Sequence, residues 1–196
     1  MSYRSRNIIN SFFRFRNLLF LPKKEWERVA HEHSQIKELF LRFAFPIITL
    51  CSLIAFAGMM IHKQGLGIGI SQFFVAFLSF NLGIYSAAKI IELLAPNFQI
   101  QIKSEIIFQL VIYSASIFCL FHGIAKLFSP YSFLNQISLI LELYFIRILW
   151  LGTAPLLPLS ESKRPGFTIM ASLLILVLPL IFERMFSIIF RLPVTI

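Results

Sequence analysis

Five long apolar stretches constrain this chain more than any other feature of its sequence. Each is close to the roughly 20 helical residues that are needed to cross hydrocarbon. A segment in hydrocarbon must satisfy its own backbone hydrogen bonds, so each stretch is expected to be a helix. The predicted spans are residues 43–61, 68–88, 106–125, 137–159 and 167–190. The sequence therefore predicts an all-α integral membrane protein with five transmembrane helices.

The composition of the whole chain agrees with this prediction. Hydrophobic residues make up 58% and charged residues 14% of the chain, and the mean hydropathy is +0.80. Soluble globular domains contain more charge and fewer apolar residues. Lipid, rather than water, is therefore expected to surround most of the chain.

The fourth and fifth stretches contain charged residues. In the fourth stretch, 13 residues are Leu, Ile or Phe, and together they favour insertion by about 4 to 8 kcal/mol. Glu142 and Arg147 each oppose insertion by about 2.5 to 3.5 kcal/mol, so the two effects roughly offset each other. In the fifth stretch, Pro179 is expected to kink the helix because it removes the bond to the Ile175 carbonyl.

The distribution of Lys and Arg predicts the orientation of the chain. Nine of the 18 basic residues precede Phe43. The same side of the membrane gains four more in the later loops: Lys89, Lys103, Lys163 and Arg164. The other side has only four: Lys63, Lys126, Arg184 and Arg191. Because cytoplasmic loops are enriched in Lys and Arg, the N-terminus is expected inside and the C-terminus outside.

Two regions follow from this pattern. Residues 1–42 form a basic, amphipathic cytoplasmic segment, and residues 43–196 form the transmembrane domain. The abundance of Phe, Ile and Lys is typical of AT-rich bacterial genomes, which favours the bacterial cytoplasmic (inner) membrane. The position of the positive charge, immediately before the first span, argues for contact with anionic lipid and against nucleic acid.

Residues 1–42 are expected to form two helices, the first ending at Pro22 and the second covering 23–42. Both are too charged to span, so they should lie in the membrane interface with their apolar faces in the headgroup boundary. Six residues are predicted to contact the membrane surface or its lipids: Arg6, Arg14, Arg16, Lys23, Lys24 and Trp26. The alternative is that both helices cover the cytoplasmic face of the helical bundle itself.

Three small residues in the second span form a stripe with four-residue spacing. They are Ser79, Gly83 and Ala87. Small residues at this spacing allow two helices to approach closely in a membrane. Packing within the bundle and self-association of the chain are both open uses of the stripe.

Ionisable residues inside the spans are the main candidates for function. Glu142 and Arg147 lie about 140° apart around a helix, so each needs a partner on another helix. Glu142 and His122 are both expected about 6 to 8 Å below the outer ends of their spans, which predicts a contact between them, with Lys126 as the competing partner. Arg147 is expected to reach toward Glu92 or Glu105. These groups form either structural pairs or a proton relay.

The sequence shows no pattern of an enzyme. The chain has nine acidic residues, all of them Glu, so Asp-based catalysis is excluded. His31, Glu32 and His33 are adjacent, but side chains one and two apart on a helix do not converge on a metal. We therefore expect no catalytic site, no metal site and no cofactor.

Several stretches resemble a known family. One is Leu18-Leu19-Phe20-Leu21-Pro22-Lys23-Lys24-Glu25-Trp26-Glu27-Arg28-Val29-Ala30, followed by Glu32 and by Phe45-Pro46 at the first span. Others are Gln109-Leu110-Val111-Ile112-Tyr113-Ser114 and the run from Leu143 to Gly152 that leads to Lys163 and Arg164. Together they resemble the prokaryotic branch of the Yip-domain (Ypt/Rab-interacting protein) family.

The resemblance implies a five-span scaffold with a cytosolic N-terminus. Eukaryotic members of the family bind prenylated Rab GTPases through a region that includes an Asp-Leu-Tyr-Gly-Pro element. This chain has no Asp, so the resemblance does not carry Rab binding over. The leading expectation is a non-enzymatic scaffold or interaction partner in membrane organisation or trafficking-like processes, which contacts anionic lipids and other membrane proteins or copies of itself. The alternative is a small transporter or channel component that uses Glu142, Arg147 and His122.

Overall fold

A computed structural model of the chain describes residues 3–32 and 34–192, with side chains from Ser11 onward. In this part of the chain every regular element is helical, which confirms the all-α prediction. The α-helices are α1 Tyr3–Phe20, α2 Pro22–Ala30, α3 Ile36–Leu39, α4 Phe45–Ile61, α5 Leu66–Leu94, α6 Ser104–Leu127, α7 Ser132–Glu142, α8 Tyr144–Leu156 and α9 Arg164–Ile189.

Five helical segments are long and apolar enough to cross a membrane, as predicted. They are Ile36–Ile61, Leu66–Phe98, Ser104–Leu127, Ser132–Leu156 and Arg164–Ile189. All five begin before the predicted start, and the second and third also end after the predicted end, because charged and polar residues continue the helices beyond the apolar stretches. The second segment ends in a short 3₁₀ turn, Ala95–Phe98.

The prediction of one continuous amphipathic helix over residues 23–42 is wrong. α2 ends at Ala30, and α3 begins a new helix that continues through a π-helical turn, Phe40–Ala44, into α4. The π turn lies where Pro46 cannot donate a backbone hydrogen bond to the Arg42 carbonyl. The Ser11 hydroxyl donates to that carbonyl instead, at 2.5 Å, and so ties α1 to the start of the first span.

The fourth span is two helices rather than the single helix expected over residues 137–159. α7 ends at Glu142 and α8 begins at Tyr144, with the break at Leu143. α8 ends at Leu156 because Pro158 forces the residue before it, Leu157, into an extended conformation (φ −114°, ψ 135°). No glycine or proline lies at the break at Leu143, so no local residue type indicates it.

α6 is the central helix of the bundle. The most apolar 18-residue window of its segment is 83% buried, whereas the corresponding windows of the other four segments are 33 to 44% buried. Helices α4, α5, α7, α8 and α9 all pack against α6. α4 approaches it closely at Gly123, where a Cβ atom would lie 2.9 Å from the Cys51 carbonyl oxygen.

α5 and α9 form the most extensive helix pair in the described structure. Ser79, Gly83 and Ala87 are all buried. A Cβ atom on Gly83 would lie 2.5 Å from the Pro179 Cα atom, so glycine is needed where the proline ring of α9 meets α5. At Gly83 the small-residue stripe therefore packs one helix of the chain against another, which is the intrachain use left open by the sequence.

Candidate functional site

The first candidate site is a group of four ionisable side chains beside α6, which we call the quartet: His122, Lys126, Glu142 and Glu183. His122 Nδ1 lies 3.1 Å from Glu142 Oε1, and His122 Nε2 lies 2.9 Å from Glu183 Oε2. Lys126 Nζ lies 2.9 Å from Glu183 Oε1. The contact expected between His122 and Glu142 is present, whereas Lys126 pairs with Glu183.

The contacts of His122 determine how many protons His122, Glu142 and Glu183 share. An ionised carboxylate can only accept hydrogen bonds, so each nitrogen-to-oxygen contact of the ring needs one proton. Two protons are therefore shared among His122, Glu142 and Glu183. If both are on the ring, the imidazolium and the Lys126 ammonium together balance the two carboxylates. Charge balance is what makes such a buried group tolerable, since an unpaired buried charge is costly.

The quartet is assembled from three different spans. Glu142 is the last residue of α7, at the break in span four, and His122 lies on α6. Glu183 lies one helical turn after Pro179 on α9, on the face that meets α5. The ring of Phe80 lies 5.4 Å from His122, so apolar side chains shield the imidazole. All three hydrogen-bonded members are buried.

Glu183 is the functional candidate that sequence reasoning missed. The charge count assigns its neighbour Arg184 to the outer side of the membrane, and Arg184 is exposed, whereas Glu183 is buried. The spacing of four residues from Pro179 was the available signal. Once Pro179 faces Gly83, a residue four positions later lies on the same side of the helix.

The second candidate site is centred on Arg14 of α1. Both terminal nitrogens of its guanidinium donate to the Glu32 carboxylate at 2.5 Å, and Nη1 also donates to the Tyr113 hydroxyl at 2.7 Å. Its Nε lies 3.5 Å from the buried carboxylate of Glu25. Partial burial lowers the pKa of Arg14, but the hydrogen bonds to Glu32 and Tyr113 outweigh it, and the net pKa is raised.

Trp26 of α2 is fully buried. Its indole N–H donates to the Ile148 carbonyl of α8 at 3.0 Å, and its ring meets the Tyr113 ring edge-on at 5.9 Å. A Cβ atom on Gly152 would lie 2.7 Å from the Trp26 ring, so this glycine leaves the space that the indole fills.

These contacts correct two assignments to the membrane surface. Arg14 and Trp26 contact the bundle, because α6 and α8 offer the Tyr113 hydroxyl, the Ile148 carbonyl and the space beside Gly152 as partners. α1 and α2 together thus cover one end of the bundle, the alternative that the sequence left open, and we call them the cap. The cap packs on α6, on the π turn and on α8.

The outer face of the cap has the composition predicted for a membrane surface. It carries exposed apolar residues and exposed basic residues in one short stretch: Phe12, Phe13, Arg16, Phe20, Leu21, Lys23 and Lys24. The sixth predicted residue, Arg6, has a side chain that lies outside the described part of the chain. Apolar and basic residues interleaved in this way are typical of helices that lie on anionic lipid.

Arg147 does not reach Glu92 or Glu105, so this expectation is wrong. Its side chain is exposed, and its Nη1 donates to the Tyr144 hydroxyl at 3.0 Å. Glu92 pairs instead with Lys89 at 2.8 Å and accepts from Ser104. The reason is that Arg147 lies on the outer side of α8, facing away from α5 and α6.

Glu105 lines a pocket of about 560 Å³ between the start of α6 and the segment that follows α2. Its other lining residues are Glu32, Ser34, Gln35, Ile102, Lys103, Ile106 and Gln109. Within residues 3–32 and 34–192, no three His, Cys, Asp or Glu side chains are placed to hold a metal ion. His33, part of the His-Glu-His cluster, lies outside the described residues.

Comparison with known proteins adds no relative: no family model, no curated protein and no solved structure matches this chain.

Proposed function

We propose that this chain is a non-enzymatic, multi-pass scaffold of the bacterial cytoplasmic membrane, with its N-terminus inside and its C-terminus outside. Its task is to organise anionic lipid and neighbouring membrane proteins, or further copies of itself, around the cap. The proposal includes membership of the Yip-domain family, whose five-span count the chain shares.

One observation carries the proposal: the cap is fixed to the bundle on its inner side and exposes an apolar and basic outer face. Arg14 and Trp26 supply the fixed side, with hydrogen bonds to α6 and α8. Phe13 and Phe20 are 52% and 71% exposed on the other side. A rigid amphipathic surface attached to five spans suits a scaffold, because it remains in one leaflet at a fixed orientation.

The orientation is supported by the charge count. The cap carries Arg16, Lys23 and Lys24 on its exposed face. Anionic lipids are concentrated in the cytoplasmic leaflet and attract such residues by about 1 kcal/mol each. Reporter fusions at each terminus test the orientation: a reporter active only in the cytoplasm should work at the N-terminus and fail at the C-terminus. The reverse pattern would contradict it.

The scaffold proposal is tested by reconstituting the chain in vesicles that contain phosphatidylglycerol and measuring its lateral clustering by energy transfer between labelled copies. We expect clustering that decreases when Phe13 and Phe20 are both replaced by Ser. The matched control replaces two residues of α7 by Ser: Phe133 and Ile140, which are similarly exposed, at 73% and 68%. Equal effects of the two double variants, or no clustering at all, would contradict the organisation of further copies of the chain around the cap.

A second candidate function, transport of an ion or solute, is favoured by the quartet and the break in span four. Transporters often place ionisable groups where a spanning helix is interrupted. Glu142 lies at such a break and contacts His122. Proteoliposomes that carry a pH-sensitive dye would reveal proton-coupled flux, and Glu142→Gln should abolish it. Flux that depends on Glu142 would favour transport over the scaffold.

A further inference from the structure

Arg147 is a charged side chain on the outer surface of an apolar span. It belongs to the segment Ser132–Leu156, which is apolar enough to cross a membrane. Its side chain is exposed, and the contacts found among the described residues are with Tyr144: one hydrogen bond at 3.0 Å and a cation–π contact at 5.5 Å. A guanidinium has five N–H donors and keeps its charge, so Tyr144 alone does not satisfy it.

The level of Arg147 in the membrane follows from α2. Trp26 of α2 bonds to the Ile148 carbonyl, the residue directly after Arg147. Elsewhere on α2 the charged residues Lys23, Lys24, Glu27 and Arg28 are exposed. Burying four charged side chains in hydrocarbon would cost several kcal/mol, so the polar headgroup zone must extend to the level of Ile148 on this side of the protein. Arg147 therefore lies among headgroups rather than at mid-depth.

Arg147 is also held in place by the cap. The Tyr144 hydroxyl accepts from Arg147 and donates to the Leu19 carbonyl at 3.1 Å. Leu19 lies near the end of α1, two residues before the turn at Leu21 that leads into α2. The guanidinium is thus positioned beside the turn whose next residues include the exposed Lys23 and Lys24. Fixing the side chain in advance reduces the entropy that a ligand must remove on binding.

We propose that Arg147, positioned by Tyr144, binds the phosphate of an anionic phospholipid in the leaflet that the cap occupies. A guanidinium recognises phosphate with paired N–H donors, and lipid phosphate is the anion available at the headgroup level. Lys23 and Lys24 add positive charge near the same turn. The inference rests on the placement of the fourth span in lipid, and it does not require the scaffold function or either orientation of the chain.

The test is native mass spectrometry of the protein released from nanodiscs that contain phosphatidylglycerol in phosphatidylcholine. The wild type is expected to retain a phosphatidylglycerol molecule that Arg147→Gln binds about tenfold more weakly or worse, since a charge-assisted hydrogen-bonded pair is lost. Arg147→Lys should be intermediate, because the ammonium keeps the charge but not the paired donors. Tyr144→Phe should also weaken binding, since it frees the guanidinium from Leu19.

Lys63→Gln is the matched control, because it removes one exposed positive charge from the loop at the other end of the bundle. It should leave lipid retention unchanged. Equal retention by Arg147→Gln and the wild type, or an equal loss in Lys63→Gln, would overturn the proposal. So would displacement of the lipid by millimolar inorganic phosphate, which would identify a site for the free anion. Each variant is first checked for an unchanged melting temperature, and Arg147→Lys serves if the Gln variant does not fold.

Discussion

Trp26 donates its indole N–H to the main-chain carbonyl of Ile148, 122 residues later in the chain, at 3.0 Å. This bond joins the N-terminal segment to the second half of the fourth span. It shows that the amphipathic N-terminal helices are part of the folded bundle. The fixed cap, the level of Arg147 and the exposed basic face all depend on this attachment.

Truncation of Trp26 should therefore destabilise the whole bundle. Trp26→Ala is expected to lower the free energy of unfolding by about 3 to 5 kcal/mol, because it empties a fully enclosed space and removes the indole hydrogen bond to the Ile148 carbonyl. Denaturant unfolding in mild detergent, followed by circular dichroism, measures the change. Lys24→Ala, two residues earlier and exposed, should have no measurable effect. A Trp26→Ala protein as stable as the wild type would show that the cap does not contribute to the fold.

Gly83→Ala should disturb the pair α5 and α9. The added Cβ atom would lie 2.5 Å from the Pro179 Cα atom, a backbone atom that cannot move aside easily. We expect a loss of about 1 to 3 kcal/mol, measured by the same unfolding experiment. Gly67→Ala is the control, because a Cβ atom there meets nothing within 4 Å, and it should be neutral or slightly stabilising. Equal effects at the two positions would contradict the close packing at Gly83.

Glu183→Gln should break the quartet. Lys126 and His122 would both lose the charge of a buried carboxylate partner, so about 3 to 5 kcal/mol of stability should be lost. Adding Lys126→Met to this variant should recover part of the loss, since it removes the charge left unpaired. Glu161→Gln, whose side chain is 87% exposed, is the control. Additive effects of the two substitutions would mean that Glu183 and Lys126 do not interact.

Arg14→Gln should loosen the cap, whereas the neighbouring Arg16→Gln should not. Arg14 makes charge-assisted hydrogen bonds to Glu32, and their loss is expected to cost about 2 to 3 kcal/mol. Arg16 is exposed, and its guanidinium lies 5.2 Å from the ring of Phe13 on the same face. Limited proteolysis in the segment that links α2 to α3 gives a direct readout of loosening. Equal protease sensitivity of the two variants would contradict the assigned contacts.

The raised pKa of Arg14 also predicts how its contribution depends on pH. Because its pKa in the folded protein lies above the ordinary value of a guanidinium, the stabilisation is fully present below that ordinary value and is lost only at higher pH. Titration of Arg14 itself should therefore cause no change in the stability difference between wild type and Arg14→Gln from pH 7 to pH 10. A difference that falls steadily over this range would contradict the assignment.

Features that depend on residues close together in the chain could be predicted from the sequence. Features that depend on contacts between distant residues could not. The length and polarity of the spans are local properties, so all five were found. The contact between His122 and Glu142 could be predicted because all spans cross the same membrane. The depth of each residue below the membrane surface can therefore be compared between helices. The burial of Glu183 was missed because the rotation of α9 is set by Gly83 and Pro179, through a contact between distant spans.

The position of Trp26 was missed for a related reason. The composition of α2 requires an apolar partner for Trp26 but does not say whether lipid or protein supplies it. The notch at Gly152 that accepts the indole is 126 residues away in the chain. The break at Leu143 and the level of Arg147 in the membrane also depend on contacts between distant parts of the chain. No residue type near either position indicates them.

The most direct test of the attached cap uses Trp26 as a fluorescent reporter. The chain has only two tryptophans, so Trp150→Phe leaves Trp26 alone. In nanodiscs, two quenchers are compared: aqueous iodide and phospholipid brominated near its headgroup end. We predict that each of them quenches the fluorescence of Trp26 less strongly than that of a tryptophan placed at the exposed position of Phe20. Strong quenching by the brominated lipid would show that α2 lies in the membrane interface, and strong quenching by iodide would show that it lies in water. Either result would contradict a cap that is packed into the bundle.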